Sequence, residues 1–121
     1  MLDERIYESY IGILKEEMVP AMGCTEPIAL AYGAARAREV LGKEPEHITA
    51  KCSGNIIKNV RCVIIPNSGG LTGIEAGVVL GAVAGNASLN MEVLSPCIQH
   101  FPAFVKRETE LRFLLGDMYL Q

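Results

Sequence analysis

Gly73-Ile74-Glu75-Ala76-Gly77-Val78-Val79-Leu80-Gly81-Ala82-Val83-Ala84-Gly85 places a glycine at every fourth position of an otherwise apolar run. On an α-helix that spacing puts Gly73, Gly77, Gly81 and Gly85 in one row. Each interior glycine costs about 1 kcal/mol of helix propensity relative to alanine. A whole row therefore needs a compensating reason, and close approach to another backbone supplies one. The stretch predicts a helix over residues 71–85, with Asn86 at its end. Glu75 either faces a polar cleft or lies in a solvated first turn. Glycine rows also occur in membrane helix dimers, but Glu75 and the short apolar length argue against a spanning segment.

A second ridge of small residues, Ala29, Gly33 and Ala37, lies upstream. It falls in an expected helix over 25–41, with Thr25 as N-cap, Pro27 and Glu26 in the first turn, and Gly42 as the stop. The two ridges are expected to face one another or a missing partner. Residues 3–18 predict an amphipathic helix: Ile6, Tyr10, Leu14 and Met18 recur every fourth residue, widened by Tyr7 and Ile11, and Pro20 follows. Residues 47–53 alternate Ile48, Ala50 and Cys52 against Thr49 and Lys51, which predicts a short strand. The apolar run 60–65 predicts an interior strand. The expected fold is α/β or α+β: three main helices around a small sheet, an incomplete fragment of a larger enzyme domain. Its core is expected to hold Ile6, Tyr10, Leu14, Ile28, Tyr32, Val63, Ile65, Ile74, Val78 and Leu80 or Val79. A further helix is expected over 104–120.

The 121 residues fit one domain, and half are hydrophobic, enough for a packed core. Eleven Lys and Arg against fourteen Asp and Glu give a net charge of −3, which disfavours nucleic-acid binding. Three Phe, four Tyr and no Trp leave little for base stacking. The first residues lack the basic and apolar regions of a signal peptide. Four cysteines without an export signal point to the cytoplasm, where thiols stay reduced.

Three segments carry candidate chemistry. In Pro20-Ala21-Met22-Gly23-Cys24-Thr25-Glu26-Pro27, a cysteine stands immediately before a helix N-terminus, where the dipole favours thiolate, the form that binds metals or attacks electrophiles. Gly23 leaves the sulfur uncrowded. The alternative is a small buried thiol at a helix start. In Cys52-Ser53-Gly54-Asn55-Ile56-Ile57-Lys58-Asn59, one serine, two carboxamides and an ammonium sit at the exit of an expected strand. They can hold an amino acid's carboxylate and amine, or form a polar turn with Lys58 in solvent. In Pro66-Asn67-Ser68-Gly69-Gly70, glycines before a helix offer backbone N–H groups to an anion, or make a plain turn. The pattern is neither the Walker motif nor the dinucleotide fingerprint. Cys52, Cys62 and Cys97 form no CxxC pair, and zinc-ribbon spacing is absent. His47 and His100 read as surface or structural residues.

Together and in this order these segments resemble the N-terminal part of the L-cysteine desulfidase family, related to the alpha-type subunit of iron–sulfur L-serine dehydratases. The resembling residues are Val19-Pro20-Ala21-Met22-Gly23-Cys24-Thr25-Glu26-Pro27-Ile28-Ala29-Leu30, Ser53-Gly54-Asn55-Ile56-Ile57-Lys58-Asn59, Val63-Ile64-Ile65-Pro66-Asn67-Ser68-Gly69-Gly70, Gly81-Ala82-Val83-Ala84-Gly85-Asn86 and Met91-Glu92-Val93-Leu94. The resemblance implies a lyase with a [4Fe–4S] cluster, without pyridoxal phosphate, that converts L-cysteine to pyruvate, ammonia and sulfide. Three cysteines hold the cluster and an open iron binds the substrate sulfur. Cys24 matches the first ligand.

Ser53, Asn55, Lys58, Asn59, Asn67, Ser68, Gly69 and Gly70 are then expected to line the amino-acid pocket. Lys58 is a candidate base on its chemistry alone. Members of that family are several times longer and carry their other two cluster cysteines in the C-terminal half. The resemblance ends near Ser95, so residues 1–95 read as the family-like part and 96–121 as a divergent tail produced by frameshift, truncation or fragmentation. The expected partners are L-cysteine or L-serine, with a complementary C-terminal chain or a homo-oligomer. Two alternatives stay open: a serine dehydratase component, and a non-catalytic fragment acting as an assembly module.

Overall fold

The structure is a computed structural model and describes residues 3–97. Four α-helices follow in order: α1 (Glu4–Glu17), α2 (Thr25–Leu41), α3 (Gly54–Val60) and α4 (Gly73–Ala84), then a 3-10 segment, Ala87–Glu92. The centre is the pairing of α4 with α2. Gly77 lies against the Pro27 carbonyl, Gly81 against Ala31 and Gly85 against Ala35, so the two helices run in the same direction. The contact at Gly81 is tightest, since a Cβ there would overlap the Ala31 carbonyl oxygen and lie 2.5 Å from Ala31 Cα. This approach offsets the propensity cost of the glycine row.

Around the pair, Ile28, Ile65, Val79, Leu80, Val93 and Leu94 form the main core, with Cys97 sealed at its edge. Val60, Ile74 and Val78 form a smaller cluster beneath α3, covered by Ile48, Ala50 and Cys52. Arg38 ties the pair at its far end. Its guanidinium donates to the carbonyls of Ala82, Val83 and Gly85 at 3.1, 2.9 and 2.6 Å. These last carbonyls of α4 have no partner within the helix, and the cation complements the helix dipole.

Several expectations are corrected. The fold is mainly helical, not α/β or α+β, and the described residues contain no sheet. One antiparallel bridge, Ile64 with Thr72, is the sole β-pairing among them. Residues 47–53 do turn Ile48, Ala50 and Cys52 inward and Thr49 and Lys51 outward, but no strand pairs with them. Residues 54–60 are a helix, capped by Ser53, whose hydroxyl accepts from the Ile56 N–H. The expected strand 60–65 is therefore broken at Val60, which ends α3.

The small ridge that meets α4 is Pro27, Ala31 and Ala35, two residues out of register with Ala29, Gly33 and Ala37, which are exposed. Ile6, Tyr10 and Leu14 are 46%, 54% and 50% exposed rather than core. α1 touches no other helix among the described residues. Ile28, Ile65, Ile74, Val78, Val79 and Leu80 are buried as expected. The bounds of α2 and the left-handed Gly42 at its end match the sequence reading, but the N-cap is Cys24 and not Thr25, which is the first helical residue, and no side chain caps the start. The expected helix over 104–120 and His100 lie outside the described residues.

Candidate functional site

Cys24 is the N-cap residue of α2 and is exposed, so the buried-thiol alternative fails. Gly23 before it adopts φ +143°, a conformation that L side chains rarely take, and lies beside the Pro66 ring. The Cys24 thiol donates to Glu26 Oε2 at 3.0 Å, and the Thr25 hydroxyl reaches the same oxygen at 3.4 Å. Glu26 Oε1 accepts from the Asn59 carboxamide at 3.0 Å. One carboxylate thus joins the start of α2 to the last turn of α3, which are 33 residues apart.

The third segment closes on the same region. Asn67 adopts a left-handed φ of 57°, and its side-chain amide donates to the Leu94 carbonyl at 3.1 Å. It also points at the Met22 sulfur, 4.0 Å away, which accepts from the Ser95 hydroxyl at 3.2 Å. All three segments picked out in the sequence therefore converge: Cys24 and Glu26 with Asn59, Gly23 with Pro66, and Met22 with Asn67.

The electrostatics of the thiol differ from the dipole argument. The hydrogen bond to the Glu26 carboxylate is the strongest influence and raises the Cys24 pKa above the usual thiol value. The α2 backbone pulls the other way and loses. Glu26 is held below the usual carboxylate range, first by the Cys24 thiol and then by backbone N–H and Asn59. In the free chain this pair rests as thiol and carboxylate. Burial pushes the Cys97 thiol up to about 11.

The remaining candidates divide. Ser53 is engaged as the α3 cap. Ser68 is buried, and its hydroxyl accepts from the Leu71 N–H at 2.9 Å and donates to the Leu71 carbonyl at 3.3 Å. Gly69 and Gly70 adopt φ of 68° and 99°, which the turn into α4 requires. Asn55 and Lys58 are exposed on α3, and nothing among the described residues pairs with the Lys58 ammonium. His47 is exposed. Glu75 is exposed and lines an open cleft of about 410 Å³ with Arg61, Ile57 and Ile74. Sequence reasoning did not single out Glu26 as the hub. The available signal was an acidic residue two positions after an N-cap cysteine.

The described residues hold no group of three His, Cys, Asp or Glu placed to bind a metal ion. Cys52 packs in the smaller cluster, Cys62 is exposed and Cys97 is buried. Among the described residues no helix is long and apolar enough to cross a membrane.

The chain is similar to UPF0597 proteins. One from Desulfitobacterium hafniense is 49% identical over 117 residues, covering 94% of this chain, which runs past Ser95, and 27% of the relative. One from Treponema denticola is 52% identical over 94 residues, 78% of this chain and 22% of the relative. One from Finegoldia magna is 56% identical over 88 residues, 73% of this chain and 21% of the relative. The chain thus spans about a quarter of the length of the curated relatives it matches. No family profile matches it. No solved structure matches it.

Proposed function

We propose that this chain is the Cys24-bearing part of a [4Fe–4S]-dependent lyase that acts on a small L-amino acid, with L-cysteine converted to pyruvate, ammonia and sulfide. The observation that carries the reading is convergence. The segment that carries the exposed thiol at the start of α2 touches the polar end of α3, through Glu26 and Asn59, and the turn before α4, through Met22 and Asn67, although the chain separates them widely. Polar and thiol groups gathered at helix ends around an accessible sulfur suit a metal-assisted elimination better than a packing role. Similarity to UPF0597 proteins is compatible with the reading and assigns no reaction.

The fit to a cluster is partial. Cys24 offers one thiolate, and the described residues offer no second or third thiol beside it. A cluster held by three cysteines therefore needs ligands from outside the described residues. When bound, the cluster would supply a Lewis acid that makes the substrate sulfur a better leaving group. This chain's own contribution is narrower. The Glu26 carboxylate accepts a hydrogen bond from the Cys24 thiol, which would lose its proton on binding a metal, and Asn59 fixes the carboxylate. Among the described residues nothing pairs with the ammonium of Lys58, which lies on the same helix as Asn59.

The test is anaerobic reconstitution with iron and sulfide, with and without the unmatched remainder of the Desulfitobacterium hafniense relative. Visible absorbance then reports the cluster, and product assays follow pyruvate and sulfide from L-cysteine. Turnover of L-serine instead, with loss of water, would assign the dehydratase alternative. Neither cluster nor turnover from the folded pair would leave the assembly-module reading.

A further inference from the structure

Among the described residues the outer face of α2 is open. Ala29, Gly33 and Ala37 are exposed at four-residue spacing and form the floor of an apolar groove of about 240 Å³, walled by Leu30, Ile48 and Ala50. The inner face of the same helix shows what small residues achieve here. Ala31 and Ala35, also four apart, admit the α4 backbone at van der Waals contact. Among the described residues nothing lies within 4 Å of the position that a Gly33 Cβ would occupy. The outer face therefore has the surface chemistry of a helix-packing ridge without a helix on it. Lys51 stands at the groove edge, and the rest of the lining is mainly apolar.

We infer that this groove docks an apolar helix from the polypeptide that the longer relatives carry in addition to the matched region. The length of that polypeptide selects the occupant. The Desulfitobacterium hafniense relative matches 94% of this chain with only 27% of its own length, so nearly three quarters of it lies outside the match. A module within a chain of that size must present apolar surface to the remainder, and the α2 groove is a concave, mainly apolar surface of that kind. Exposed Ile6, Tyr10 and Leu14 on α1 are a second uncovered apolar face. The inference rests on similarity and surface alone and does not depend on the reaction proposed above.

The experiment co-expresses the full chain with the unmatched remainder of the Desulfitobacterium hafniense relative and measures mass by size-exclusion chromatography with light scattering. The expected result is a heterocomplex containing one copy of each. Gly33→Leu should weaken it about tenfold or more, because a filled groove excludes the docking helix. The free Gly33→Leu chain should keep its circular dichroism and melting temperature, since its side chain meets open space. Ala37→Glu serves as a second groove variant on the same exposed ridge.

Absence of a complex would overturn the inference. So would a complex that tolerates both substitutions, or a homodimer of this chain that Gly33→Leu dissolves, which would assign the groove to a second copy. A normal complex without turnover would preserve the docking surface and count against the lyase reading alone.

Discussion

Gly81 rests its backbone directly on Ala31, so closely that any Cβ at Gly81 would overlap the Ala31 carbonyl. Gly33, on the opposite face of α2, has nothing among the described residues within 4 Å of its Cβ position. The two glycines should respond oppositely to one methyl group. Gly81→Ala must push two backbones apart and is expected to cost about 3 kcal/mol. Gly33→Ala is expected to gain about 1 kcal/mol of helix propensity. Thermal melts check both, at about 4 °C per kcal/mol for a domain of this size.

Arg38 offers a separate test of the same helix pair. Its guanidinium satisfies three carbonyls at the end of α4. Arg38→Met keeps the apolar stem and removes the donors, and is expected to cost about 2 kcal/mol. A urea titration reads the loss as a lower midpoint at unchanged slope.

Glu26 should control the reactivity of Cys24. Its carboxylate raises the thiol pKa, so Glu26→Gln should lower that pKa and speed alkylation of Cys24 by iodoacetamide near neutral pH. Peptide mass spectrometry separates Cys24 from the other exposed thiol, Cys62. An unchanged rate would show that the hydrogen bond does not persist in solution.

The same pair predicts a pH dependence. Glu26 has a folded pKa below its ordinary value of 4.5, so its ionised form adds stability above that value. The contribution fades as pH falls through the lower folded pKa. Wild type and Glu26→Gln should therefore differ by a constant amount near neutrality and converge in acid. The carboxylate is only partly buried and lies at the surface, so the difference should be small.

α1 should matter for association and not for the stability of the rest. Ile6, Tyr10 and Leu14 are about half exposed. Replacing Tyr10 and Leu14 with serine should change stability by less than about 0.5 kcal/mol and reduce self-association seen by light scattering at high concentration. Ile28→Ala, in the core, should cost about 3 kcal/mol.

The sequence was most readable where local chemistry and packing agree. Pro27 and Gly42 marked the bounds of α2, although the cap is Cys24 and not Thr25, and the glycine row marked α4. The alternation of Ile48, Ala50 and Cys52 correctly reported one-sided burial. It misled about a sheet, because a period of two records which side is covered and not whether a strand lies alongside. α3 was obscured by Gly54 and Asn55, which look like a turn. Its signal was Ser53 as cap followed by Ile56, Ile57 and Val60 on one side. The register between α2 and α4 was not legible, since α2 carries small residues on two faces and only packing chooses Ala31 over Gly33. At the site, Cys24 was legible from its place before the helix. The Glu26–Asn59 bond was not, because it depends on how α3 sits against α2.

The most direct measurement is the iron and sulfide content of the anaerobically reconstituted heterocomplex, with wild-type Cys24 and with Cys24→Ser. The expected result is a stable four-iron cluster in the wild type and a lost or degraded one in the variant, with circular dichroism unchanged, since Cys24 is exposed and outside the core. A cluster that forms equally well in both, or in neither although the complex is folded, would contradict it.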